Sequence, residues 1–213
     1  MPRRITRVAD LCKVFEGGAS PLMNEVATVC ILYEDFRYEL ANLKRAIEAA
    51  SVGKDQEPYY WIRRSLLTMN EFGKRLNSLL TNQAHEKAFD ALRKDQRDAL
   101  TAARRAINRS SLETLRNYFG GHLDPDLIGN GLKFYGSDAF SKMTWTDSRD
   151  ELQLSLDFAY DIFRGAFAGH FAPTVDKLQD KLQAFYVDMG ELFGHIAIAT
   201  FILVHEFVWV KFG

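Results

Sequence analysis

The stretch Asn24–Ser51, NEVATVCILYEDFRYELANLKRAIEAAS, decides the fold class. Val26, Val29, Tyr33, Phe36, Leu40, Leu43, Ile47 and Ala50 follow one another in alternating steps of three and four. Only a helix of about 3.6 residues per turn gathers those positions on one face. Glu34, Arg37, Glu39, Lys44, Arg45 and Glu48 occupy the remaining positions, as expected for a helix with one side turned to water.

The same period recurs outward from this stretch. A second helix is expected from about Pro58 to Leu80, with Pro58 in its first turn and Ile62, Leu66, Met69, Phe72, Leu76 and Leu79 inward. A third is expected over His85–Asn108, carrying Phe89, Leu92, Leu100, Ala103 and Ile107 on its inner face. Two more are expected at about Asp150–Phe171 (Leu152, Leu156, Ala159, Phe163, Phe167) and Thr174–Phe212 (Val175, Leu178, Leu182, Phe185, Met189, Leu192), with Pro173 between them. Pro2 and Pro21 also fall where helices would start. No stretch combines sustained period-two alternation with β-branched enrichment. The expectation is one all-α domain over residues 1–213, an up-and-down bundle of five to seven helices whose short polar connections make the first three antiparallel. A segment at about 120–148, with Gly120, Gly121, Gly129, Gly131 and Gly136, interrupts the pattern. Irregular segments of that length inside a bundle are often functional.

Composition narrows the class of protein. With 47% hydrophobic and 26% charged residues, the 213-residue chain matches an ordinary globular domain. A formal charge of −1 gives no overall attraction to nucleic acid or an acidic membrane, so RNA binding would require a local basic patch. Cys12 and Cys30 are expected as buried free thiols in a reducing cytoplasm. The start of the chain lacks the pattern of a secretory signal. Within Leu192–Val210, the uninterrupted apolar run from Ile196 to Val204 falls short of the roughly 20 residues a bilayer requires. It reads as a core or subunit-interface helix, with no membrane partner.

Chemistry concentrates in one place. Ser110 and Glu113 form a capping-box pattern that opens a short helix ending at Gly120-Gly121. In a continuous helix, residues six apart lie about 240° apart around the axis. The double glycine lets the backbone turn, so that Arg116 and His122 can face one site. Histidine can move protons at neutral pH, and a guanidinium offers a permanently charged donor fork to a transition state gaining negative charge. Asn117 can donate and accept, and so orient either partner. Arg104, Arg105 and Arg109 precede the stretch and could hold flanking phosphates, or simply line a solvated helix face. Tyr59, Tyr60 and Trp61 could stack bases, although core or interface packing is the expectation. His85, His170, His195 and His205 show no metal-ligand spacing, and His205-Glu206 is too little for a metal site. Nucleotide loops and Ser or Cys nucleophile motifs are absent from the sequence.

Arg116-Asn117-Tyr118-Phe119-Gly120-Gly121-His122 resembles the signature of the HEPN superfamily: an arginine, a polar residue and, after a short gap, a histidine. The resemblance covers about ten residues and the helical context. It implies a bundle that dimerises to pair two motifs in a cleft, and a metal-independent, cofactor-free endoribonuclease acting as a toxin or antiphage effector. Arg116, Asn117 and His122 would be its site residues, RNA its substrate, and an antitoxin or defence-system protein a further partner. Other members keep the fold without cleaving, which leaves a non-catalytic RNA- or protein-binding module as the alternative.

Overall fold

A computed structural model describes residues 20–49, 57–109, 143–147, 152–156 and 178–210. These are predominantly helical. Five α-helices are present among them: α1 (Pro21–Ala49), α2 (Glu57–Thr81), α3 (Glu86–Asp90), α4 (Lys94–Arg109) and α5 (Leu178–Val204). A 3₁₀ turn at Gln83–His85 leads into α3, and a π-helical turn at His205–Trp209 prolongs α5.

The helix starts follow from local chemistry. Ser20 accepts from the Met23 N–H at 3.3 Å, and Pro21 occupies the first helical position, where a missing N–H costs nothing. Pro58 lies in the first turn of α2. Asn82 caps the 3₁₀ turn by accepting from the Ala84 N–H at 3.0 Å.

The long apolar stripes are buried as their spacing requires. On α1 these are Val26, Val29, Phe36, Leu40, Leu43 and Ile47; on α2, Ile62, Leu66, Met69, Phe72, Leu76 and Leu79 have no accessible surface at all. Tyr33 is half-buried and stacks on Phe193 with ring centroids 5.5 Å apart.

Two expectations are corrected. The region expected as one helix over His85–Asn108 is broken at residues 91–93. The cause is a competing set of caps. Gln96 accepts from the Arg93 N–H at 3.0 Å, half of a capping box, while Arg97 Nη1 donates to the Asp90 carbonyl at 3.0 Å. The proposed helix from about Asp150 instead contains a strand. Met143–Asp147 (β1) and Leu152–Leu156 (β2) pair antiparallel, with Met143 opposite Leu156 and Trp145 opposite Leu154. A spacing of four, as between Leu152 and Leu156, is a multiple of two and fits a strand as well as a helix. The alternation at Leu152, Leu154 and Leu156 is the pattern that the helical reading passed over. By length and composition alone the stretch Gln183–Trp209, α5 with its π-helical turn, could cross a membrane, a test that buried core helices also pass.

The chain divides into two compact units. Of the described residues, one takes 20–37, 68–109 and 191–210; the other takes 38–49, 57–67, the two strands and 178–190. In the first unit, Gly73 lies so close to Ile107 that a β-carbon there would come within 2.8 Å of Ile107 Cγ2. The same unit buries His85, whose Nε2 lies 3.3 Å from Asn82 Nδ2 and 3.8 Å from Glu25 Oε1.

Candidate functional site

Arg116, Asn117 and His122 lie outside the described residues. So do Gly120, Gly121 and most of the segment around 120–148, within which β1 is described. The approach to the motif is α4. Leu100, Ala103 and Ile107 are its buried face. That orientation leaves Arg104 half-buried and Arg105 exposed, while Arg109 is the last residue of the helix. Of the arginine run, Arg105 is therefore the one shown open to solvent, where a phosphate could reach it.

The described residues also form a cleft in the first unit, of about 370 Å³, with a mixed apolar and polar lining. Arg93, Asp95, Gln96 and Ala99 line it from the start of α4; Ile198, Phe201 and Ile202 from α5; His205 and Glu206 from the π-helical turn. Such turns often occur at functional sites. Glu206 Oε1 receives two hydrogen bonds, from Gln96 Nε2 at 2.5 Å and from His205 Nδ1 at 2.8 Å. The Gln96 bond, then the His205 bond, hold the Glu206 carboxyl below its ordinary pKa despite partial burial. Asp95 is lowered in the same sense by its hydrogen bond from Arg93. His205 is packed against Phe201 (5.7 Å between centroids) and Trp209 (6.1 Å), so its ring is held from several sides. A histidine bound by a carboxylate at Nδ1 has Nε2 left for proton exchange.

Gln96 was missed by the sequence reading because nothing local links it to a residue as distant as Glu206. A second group was half-seen. Among the three adjacent aromatics, Tyr59 is core at 3% exposure, as expected, but Tyr60 is 42% exposed and meets Trp61 edge-on at 5.0 Å. Tyr38 joins them, 60% exposed and edge-on to Trp61 at 6.2 Å. Its place off the apolar stripe of α1 was the available signal.

Cys30 is a poor nucleophile. Burial, reinforced by Glu34, pushes its thiol up to about 11. Among the described residues, no group of three or more His, Cys, Asp or Glu side chains could hold a metal ion. Compared with protein-family models, curated proteins and solved structures, the chain matches none.

Proposed function

We propose that this chain is a metal-independent endoribonuclease of the HEPN type, cutting RNA by attack of the substrate's own 2′-hydroxyl. The observation that carries the reading is the Arg116-Asn117…His122 constellation, with the Gly120-Gly121 break that lets its ends converge. The predominantly helical character of the described residues suits that family, and exposed Arg105 suits a path for phosphates leading toward the motif. In this reading His122 exchanges protons with the 2′-hydroxyl and the leaving 5′-oxygen, Arg116 neutralises the phosphorane-like transition state, and Asn117 orients them. Each chain brings one motif histidine, so a two-fold dimer, the commonest closed assembly, would supply both proton-transfer groups. A helical bundle acting in the cytoplasm as a toxin or antiphage effector, held in check by a partner protein, completes the proposal.

A second reading has its own support. Arg37, Lys44, Arg64, Lys74, Arg93 and Lys94 are each ion-paired with a nearby acid, so the described surface offers little broad basic face. A non-catalytic binding module would fit such a surface. Alanine at Arg116 and His122 separates the two. Residues that only brace a loop lower the melting temperature when removed, whereas catalytic ones abolish RNA cleavage and leave melting nearly unchanged.

A further inference from the structure

We infer that Tyr38, Tyr60 and Trp61 form a stacking platform for the bases of single-stranded RNA, bordered by Arg45, Arg63 and Arg64. All six belong to the second unit. Three aromatic rings in edge-to-face contact are unusual on a surface, where two of them keep 60% and 42% of their area open to water. The rings are anchored from behind. Trp61 Nε1 donates to Glu57 Oε1 at 3.2 Å, which satisfies its one polar atom within α2. Arg64 reaches across to the buried carboxylate of Glu39 at 3.2 Å yet keeps 47% of its side chain exposed. On α1, Asn42 Nδ2 donates to the Tyr38 carbonyl at 2.9 Å and its Oδ1 accepts from Arg45 Nη2 at 2.7 Å, which holds that guanidinium one to two turns beyond the tyrosine.

The charges choose the occupant. Arg45 and Arg63 are both exposed and have no ion-pair partner among the described residues. The acid that holds Arg64 lies buried beneath it, and the exposed Glu57 is engaged by the Trp61 N–H. Open ring faces beside guanidinium groups suit a strand with exposed bases and a phosphate backbone. A base-paired duplex hides its base faces and could not stack there. The choice of RNA over another single-stranded polyanion rests on the ribonuclease reading; the platform itself does not.

The test is fluorescence anisotropy of a labelled 2′-O-methyl oligoribonucleotide of about 12 nucleotides, within the usual site size of single-strand binders. The full chain is compared with Tyr38→Ala, Tyr60→Ala and Tyr38→Phe, alongside thermal melting. The single strand is expected to bind more tightly than the same sequence as a duplex. Each alanine variant is expected to weaken binding about tenfold without a fall in melting temperature, while Tyr38→Phe, which keeps the ring, binds as the parent does. Unchanged binding by both alanine variants overturns the platform. So does equal affinity for duplex, or no binding at all, which would leave the patch to a protein partner. Because a 2′-O-methyl strand cannot be cut by 2′-hydroxyl attack, this measurement is independent of nuclease activity. Ring-dependent binding by a chain that cleaves no RNA would sink the ribonuclease reading alone.

Discussion

Gln96 and Glu206, 110 residues apart in the chain, are joined by a 2.5 Å hydrogen bond from Nε2 to Oε1. The same glutamine accepts from the Arg93 N–H and so sets the first turn of α4. One side chain therefore fixes both a helix start and the π-helical turn that follows α5. Gln96→Ala is expected to cost about 1–3 kcal/mol, since it removes a cap and a bond to a charged acceptor together. Urea unfolding checks it; a change within error would mean that water replaces both bonds.

Glu206 also sets a pH response. Its folded pKa lies below the ordinary value, so the stability it contributes is fully present above about pH 4.5 and is lost as pH falls through the folded value. The melting temperature of the parent is expected to drop on acidification below that point. Glu206→Gln, with no carboxylate to protonate, should fall less steeply over the same range. Parallel melting curves would show that Glu206 contributes nothing to acid sensitivity.

Gly73→Ala pits two local effects against each other. Alanine favours a helix interior by about 1 kcal/mol over glycine. Here its methyl would meet Ile107 Cγ2 at 2.8 Å, and Ile107 is fully buried. A β-branched side chain has little rotamer freedom to give way, and overpacking costs about 1–3 kcal/mol. A net loss of about 1 kcal/mol is expected by chemical denaturation. A stabilised variant would show that the two helices can move apart.

The stripes of α1 and α2 were legible because apolar residues at steps of three and four leave one geometric solution. The break at residues 91–93 was not, since Gln96 and Arg97 act as caps only when the backbone has already turned. The hairpin was hidden by the spacing of Leu152 and Leu156, which two periods share. For the site, the sequence singled out Arg116, Asn117 and His122, all of which lie outside the described residues. It could not show the cleft around Glu206 or the Tyr38–Trp61 contact, because each joins residues from different helices.

If the reaction is 2′-hydroxyl attack, its products carry 2′,3′-cyclic phosphate and 5′-hydroxyl ends, and DNA is left intact. Arg116→Lys is expected to be nearly as damaging as alanine, because lysine keeps the charge but loses the bidentate fork. End-group analysis by mass spectrometry and parallel assays on DNA check the chemistry. Equal cutting of DNA, or full activity of the lysine variant, would contradict it.

Cleavage of mixed RNA in excess EDTA, with purified wild type beside His122→Ala, tests the central claim most directly. The account predicts that the wild type cuts without a metal, and that His122→Ala is slower by about 10²–10⁴, the usual contribution of a positioned acid–base group. A strict requirement for magnesium, no cleavage by the wild type, or full activity in His122→Ala would contradict it.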